Sequence, residues 1–193
     1  KNIIILSGIH NNLRDQTQKR IETDLYSLNN KNPEMNIQYL TKKGDEDFDD
    51  NQHISLFLTQ NPKIFIIKKR WEVLERLIGW LSLLDEKTLA NYPTMIIDDE
   101  ADNATIDVNN NNPRHDIEFD NLDDDPSLTN KRIRQLRNLF QKVCYIGYTA
   151  TPFANVLIDP FDENQTHGKS LYPRDFILSL PKPKGYIGTK ELF

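Results

Sequence analysis

The hydrophobic positions of this chain form short apolar runs that are separated by longer amphipathic stretches. The runs are brief and alternate little, which is typical of parallel strands covered on both faces. They begin at Asn2, Ile37, Lys63, Met95 and Lys142. Helical periodicity lies between most of them. This alternation predicts an α/β fold of three α/β/α layers, with a mostly parallel sheet and right-handed crossovers.

The amphipathic stretches predict the helices of the outer layers. A first helix is expected over residues 13–28, with Asn11 or Asn12 as its cap. A second is expected over residues 71–84, and a basic third helix over 126–140. Short helices are expected at residues 53–58 and 153–158, and a last strand at 176–180. The polar, acidic stretch between Asp102 and Asp125 lacks apolar periodicity and predicts a long loop.

Four acidic residues follow the strand that begins at Met95. Asp98, Asp99, Glu100 and Asp102 lie where the carboxyl end of a parallel strand faces the ligand crevice of α/β proteins. Clustered carboxylates repel each other unless a cation or a donor holds them. A hydrated Mg²⁺ between Asp99 and a nucleotide phosphate would meet that need, and Asp98 could share this cofactor-binding role. Glu100 would then orient an attacking water. An acidic turn without function explains such a stretch equally well when it stands alone.

A second strand, over residues 143–148, ends in Thr149-Ala150-Thr151-Pro152. Together with Asp99-Glu100-Ala101-Asp102, this ending resembles motifs II (Walker B) and III of superfamily 2 helicases and translocases. The ordered pair is more specific than either motif alone. In that resemblance, Asp102 and the hydroxyls of Thr149 and Thr151 connect the nucleotide state to the DNA-binding surface.

Nearly the whole chain resembles the Z1 domain family, which is labelled as endonuclease and carries a superfamily 2 helicase-like ATPase. The matching stretches are residues 6–17, 97–102, 148–155, 171–177 and 185–188. The resemblance implies part of a RecA-like P-loop NTPase lobe, with ATP and Mg²⁺ as cofactors. It also implies DNA and a second RecA-like lobe as partners, and a role in bacterial restriction or DNA defence.

The phosphate-binding Gly-Lys-Thr loop (Walker A) of that family is missing, and we expect it upstream of Lys1. His167-Gly168-Lys169-Ser170 does not replace it, because Glu163 stands where the first glycine of the motif belongs. The chain opens without Met, directly in a strand, so we interpret it as a piece of a longer protein. This piece alone should hydrolyse ATP weakly or not at all. The missing strand should leave an exposed position in the sheet.

Candidate contacts with a nucleic-acid backbone lie after two strands. Arg14 and Gln16 are in the first turns of the first helix, where superfamily 2 proteins have motif Ia. Lys68 and Lys69 end another strand and, with Arg70, form the strongest local basic cluster. On spacing alone, a solvated helix start explains the first pair more simply.

Composition narrows the class of protein. A net charge of −5 argues against tight nucleic-acid binding by the whole surface, although a local basic face is compatible with it. The single Cys144 excludes an internal disulfide, and its place in a strand predicts a core residue. With no visible signal peptide or membrane-spanning run, a cytoplasmic protein is expected. We expect an ATPase-lobe fragment at residues 1–158 and a loop-rich extension of the same domain at 159–193.

Two alternatives remain open. Asp98, Asp99, Glu100 and Asp102 could bind divalent metal for phosphodiester cleavage, as in two-metal nucleases. Against this, no Glu-x-Lys lies on a neighbouring strand, and Asp85-Glu86-Lys87 is expected in a helix-end loop. The chain could also be a non-catalytic interaction lobe that keeps the ATPase fold.

Overall fold

A five-stranded, all-parallel sheet forms the centre of the molecule. The computed structural model describes residues 1–32, 36–42, 44, 47–103, 126–164 and 168–185. The strands are β1 (Asn2–Ser7), β2 (Gln38–Tyr39), β3 (Lys63–Lys68), β4 (Thr94–Asp99) and β5 (Val143–Tyr148). They lie in the order β2-β3-β1-β4-β5, with helices on both faces. The predicted three-layer α/β/α fold is confirmed.

Helices of unequal length flank the sheet. They are α1 (Asn11–Lys31), α2 (Trp71–Leu81), α3 (Glu86–Ala90), α4 (Pro126–Asn138) and α5 (Phe153–Val156). A 3-10 turn spans Ile54–Leu56, and the strands β6 (Glu163–Asn164) and β7 (Gly168–Lys169) form a small antiparallel pair. α1 covers one face of the sheet through Ile21 and Leu25, whereas α2 and α4 cover the other.

The larger core lies between the sheet and the α2/α4 layer. α2 contributes apolar residues that recur at helical spacing, namely Val73, Leu74, Leu77, Trp80 and Leu81. Trp80 meets the rings of Phe48, Phe57 and Phe65 edge-on, at centroid distances of 5.4, 6.1 and 6.3 Å. Each such pair adds about 0.5–1.5 kcal/mol beyond the area that it buries. This aromatic cluster fixes α2 and β3 relative to one another.

The connections leave a crevice at the carboxyl ends of β1 and β4. From β1 the chain crosses through α1 towards β2, whereas from β4 it crosses through α4 towards β5. The two helices lie on opposite faces. Adjacent strands whose connections diverge in this way form the ligand crevice of open α/β sheets. Leu6 of β1 pairs with Asp98 of β4, so the acidic stretch begins at this crevice.

Among the described residues, β5 forms the edge of the sheet, and one of its faces is open. Cys144 is exposed, as are Tyr148 at 51% and Met95 of the adjacent β4 at 37%. The expectation that Cys144 is a core residue is therefore wrong. Its cause is the placement of α1, which packs over β3 and β1 and leaves β5 uncovered on that side.

Local boundaries differ from the prediction where capping decides them. The second predicted helix ends at Leu81, before its expected end at residue 84. A short helix that was not predicted, α3, follows it, and its cap Asp85 accepts a hydrogen bond from the Thr88 N–H. Asp85-Glu86-Lys87 is thus a helix start instead of a helix-end loop. α1 begins after His10, whose side chain does not cap it, so neither Asn11 nor Asn12 is the cap.

The C-terminal segment lacks the last strand that the sequence predicts. Residues 176–180 are described and form no strand; their apolar side chains are exposed. Leu171 is buried in the main core, which ties the segment after residue 158 to the sheet layers. The predicted acidic loop falls on residues 104–125, which lie outside the described residues.

The assignment of the α2 face predicts the effect of one core substitution. Leu77→Ala should lower the free energy of unfolding by about 2–5 kcal/mol, because it leaves a cavity at a fully buried position. Leu83 is 70% exposed, so Leu83→Ala should change it by less than about 0.5 kcal/mol. Urea denaturation measures both. Similar losses for the two variants would contradict this assignment.

Candidate active site

The ends of β4 and β5 lie side by side at the carboxyl edge of the sheet. Asp99 pairs with Tyr148, so the acidic residues after β4 and the threonines after β5 share one border. The Ala101 N–H donates to the Tyr148 carbonyl at 2.9 Å, which continues the contact beyond the strands. Gly147 permits this approach, because a Cβ at that position would lie 2.9 Å from the Ala101 Cβ.

Asp102 joins the two stretches through its side chain. Its Oδ1 accepts a hydrogen bond from the Thr149 hydroxyl at 2.6 Å, and its Oδ2 accepts one from the Thr151 hydroxyl. These two donors lower the pKa of Asp102 below its ordinary value. Asn155 of α5 adds a further link by donating to the Ala101 carbonyl at 2.9 Å. The three side chains singled out in the sequence are in contact, while their role in sensing a nucleotide stays a prediction.

Asp98 is enclosed by the protein. Its Oδ1 lies 2.8 Å from the Lys69 ammonium, and both side chains are at most 1% exposed. Its Oδ2 accepts a hydrogen bond from the Tyr145 hydroxyl at 2.5 Å. Tyr145 as a residue is partly exposed, but burial of its hydroxyl and the nearby Asp98 carboxylate raise its pKa well above the ordinary value. The hydroxyl therefore keeps its proton and remains a donor to Asp98.

Lys69 has further acceptors in the acidic turn. Its Nζ donates to the carbonyl oxygens of Asp99 at 2.6 Å and Glu100 at 2.7 Å. With Asp98, these acceptors match the three donors of an ammonium. The prediction that Lys69 contacts a nucleic-acid backbone is corrected, since its charge is buried in this ion pair. Tyr145 was not singled out in the sequence, although it shares a face of β5 with Gly147, the register partner of Asp98.

Asp99 and Glu100 are the acids of this turn that solvent reaches most freely. Asp99 follows Asp98 in β4 and therefore points to the opposite face of the sheet. Its Oδ1 accepts a hydrogen bond from the Glu100 N–H at 3.1 Å. One exposed carboxylate can supply a ligand to Mg²⁺, which usually keeps several of its waters. In the part of the chain that the structure describes, no group of three or more His, Cys, Asp or Glu residues is arranged to hold a metal ion.

Arg14 is an internal residue. It is fully buried and donates to the side chain of Gln18 at 2.8 Å and to the Lys42 carbonyl at 2.9 Å. It also donates to the Gly44 carbonyl, so it fixes α1 to the segment after β2. The prediction that Arg14 contacts a nucleic-acid backbone is corrected for this reason. Gln16, predicted beside it, is exposed on α1.

A shallow polar depression of about 360 Å³ lies at the start of α1. Its lining consists of Ile9, His10, Asn11, Asn12, Lys68 and Arg70. Helix N-termini and basic side chains both favour anions. Neighbouring acids reduce the positive charge, since Lys68 lies 3.7 Å from Asp47 and Arg70 lies 3.3 Å from Glu72. Lys68 is thus the predicted nucleic-acid residue that lines this depression, while Gln16 lies outside it.

The basic side of α4 holds the C-terminal segment to the sheet layers. Arg134 is buried and binds Asp162 at 2.7 Å and the Gly168 carbonyl. Arg137 donates to the carbonyls of Lys169 and Ser170, and burial lowers its pKa. These two arginines of the basic helix therefore serve internal contacts.

No protein-family model, curated protein or solved structure matches this chain. The resemblance to the Z1 family therefore stays a prediction from the motifs. Among the described residues, none forms a helix with the length and hydropathy that a bilayer crossing requires.

The contact of Asp102 with the threonines predicts a measurable pKa change. Thr149→Val should raise the pKa of Asp102, because it removes the donor with the largest effect. Since the folded-state pKa is lowered, these hydrogen bonds stabilise the fold above the unfolded pKa of about 3.9. That contribution disappears as the pH falls through the folded value.

Carbon NMR of the Asp102 carboxyl group measures this change directly. Thr23→Val is the control, because Thr23 is exposed on α1 and bonds to the Lys19 carbonyl. It should leave the pKa of Asp102 unchanged. A pKa that does not move in Thr149→Val would contradict the hydrogen bond.

Proposed function

We propose that this chain is part of the RecA-like lobe of a superfamily 2 helicase-like, DNA-dependent ATPase of the Z1 family. The division of the acids in the turn carries the proposal. Asp98 and Asp102 are engaged by protein donors, whereas Asp99 and Glu100 reach solvent at the crevice. Nucleotide hydrolysis needs one carboxylate near a hydrated metal and a second near the attacking water. The two exposed acids supply this pair.

Each residue then has a distinct role in the proposed site. Asp99 would hold a hydrated Mg²⁺, and this ion would supply charge neutralisation for the phosphates of ATP. Glu100 accepts a proton from the hydrolytic water and orients that water. Asp102 reports the nucleotide state to the threonines after β5, because its two oxygens bond to the Thr149 and Thr151 hydroxyls.

The proposal requires a phosphate-binding loop that this sequence lacks. The free edge of β5 supports the addition of a strand, because its backbone and one of its faces are uncovered within the described chain. A strand paired there would bring its following loop to the border that carries Thr149. Without such a loop, we expect this chain not to hydrolyse ATP.

We propose the depression beside α1 as the contact for a DNA phosphate. Lys68 and Arg70 line it together with the start of the helix. Arg14 and Lys69 leave the set of candidates because both are buried. The second lobe, the restriction or DNA-defence role and the cytoplasmic location are proposed from the resemblance alone.

The nuclease alternative has less support from the geometry. Two-metal cleavage requires several carboxylates that converge on a pair of ions. Asp98 faces the Lys69 ammonium, and Asp102 faces two hydroxyls, so only Asp99 and Glu100 remain for metal. Strong binding of two metal ions by this turn would need both internal acids to leave their partners.

Glu100→Gln is the decisive substitution for the proposal. In the complete protein it should lower DNA-stimulated ATP hydrolysis by at least about 100-fold, because the amide cannot accept the proton of the water. ATP binding should persist. Glu86→Gln is the control, since Glu86 is an exposed acid on α3. Turnover at the wild-type rate in Glu100→Gln would end the assignment.

The same preparation separates the alternatives. The complete protein is incubated with plasmid DNA and Mg²⁺, with and without ATP. Hydrolysis of ATP without cleavage supports the motor. Cleavage in the absence of ATP would favour the nuclease, and the absence of both activities would favour an interaction lobe.

Substitutions of the basic residues that line the depression should weaken DNA binding. Lys68→Ala with Arg70→Ala should weaken binding of a single-stranded oligonucleotide and lower the salt slope by about one unit per contact. Lys19→Ala with Arg20→Ala removes the same charge from the exposed surface of α1 and should have a smaller effect. Fluorescence anisotropy over a range of salt measures both. Equal losses would contradict the location of the contact.

A further inference from the structure

A buried ammonium ties several parts of the acidic turn together. Lys69 Nζ lies 2.8 Å from Asp98 Oδ1, 2.6 Å from the Asp99 carbonyl and 2.7 Å from the Glu100 carbonyl. Its backbone N–H donates to the Ser7 carbonyl at 3.1 Å. Lys69 is thus fixed to the end of β1 while its side chain reaches the end of β4.

The backbone of the turn is strained at one of the residues that this ammonium contacts. Glu100 has a φ of 51°, in the left-handed region that residues with a Cβ avoid. In this conformation the carbonyls of Asp99 and Glu100 converge on one cation. The Ala101 N–H then meets the Tyr148 carbonyl, and the Asn103 N–H donates to the Glu100 carbonyl at 2.8 Å.

Charge neutralisation alone does not account for these contacts. If it were the whole role of Lys69, an uncharged pair at positions 69 and 98 would serve equally well. The two carbonyl contacts are additional, and they fall on the residues that carry the exposed carboxylates. They restrain the segment from which Asp99 and Glu100 project.

We propose that Lys69 is a positioning residue, which holds the Asp99 and Glu100 carbonyls so that the two exposed carboxylates keep a fixed arrangement. The inference rests on the proposed function only where it concerns ATP hydrolysis. The restraint on the turn is a property of the chain itself and can be measured without any nucleotide.

The test removes both charges of the buried pair. Lys69→Met alone would leave the Asp98 carboxylate buried and unpaired, so it is combined with Asp98→Asn. Amide hydrogen exchange is measured by NMR on the 193-residue chain. The Ala101 and Asn103 amides should exchange at least about tenfold faster, while the amides of β1 and β3 keep their rates.

A neighbouring ion pair provides the matched control. Lys68→Met with Asp47→Asn also removes one lysine and one buried aspartate, 3.7 Å apart, next to the same strand end. It should leave exchange at Ala101 and Asn103 unchanged. Acceleration at these amides in the control as large as in the test variant would overturn the proposal.

Two further outcomes would overturn it. Unchanged exchange at Ala101 and Asn103 in the test variant would show that Lys69 only neutralises the charge of Asp98. Faster exchange spread evenly over β1 and β3 would indicate a general loss of stability instead of a local restraint.

In the complete protein, the test variant should lower kcat for ATP hydrolysis by at least about tenfold and leave KM for ATP within about twofold. An unchanged kcat beside faster exchange would overturn the positioning role in hydrolysis. If the wild-type complete protein hydrolyses no ATP, the proposed function fails, and the exchange result still decides whether Lys69 restrains the turn.

Discussion

The carboxyl edge of this sheet depends on the pairing of a buried ammonium with a buried carboxylate. Lys69 follows β3 and Asp98 ends β4, and β1 lies between these strands. Burying either charge without its partner would cost several kcal/mol. The pair is stable only because the remaining hydrogen-bonding positions of both groups are also satisfied. The Tyr145 hydroxyl and two backbone carbonyls provide these contacts. The pair therefore links the carboxyl ends of β3 and β4 and, through the Tyr145 hydroxyl, joins both to β5.

This pairing also decides how the acidic turn presents its charge. Four adjacent carboxylates on one surface would repel each other strongly. Here the Lys69 ammonium neutralises the charge of Asp98, and the hydroxyls of Thr149 and Thr151 stabilise Asp102. Repulsion is left mainly between Asp99 and Glu100. A cation entering from solvent would thus meet the two exposed carboxylates of Asp99 and Glu100.

The sheet was predictable because its strands are apolar runs with clear ends. The meeting of Asp102 with Thr149 followed from the same logic, since the carboxyl ends of parallel strands share a border. The orientation of the lysine and arginine side chains was harder to predict from the sequence. Lys69, Arg14 and Arg134 are buried because acceptors from distant segments surround them, and their immediate neighbours in sequence give no sign of this. The exposure of Cys144 likewise depends on how far α1 extends over the sheet.

The border at β5, which is uncovered in the part of the chain that the structure describes, has a consequence for handling the protein. The six residues Val-Cys-Tyr-Ile-Gly-Tyr contain neither proline nor charge, the devices that usually keep such a border from pairing with another chain. Two molecules whose β5 edges paired would form one continuous sheet, and Cys144 on the same strand is exposed to oxidation. Purification under reducing conditions, or with serine at this position, would keep such artefacts out of measurements of size and mass.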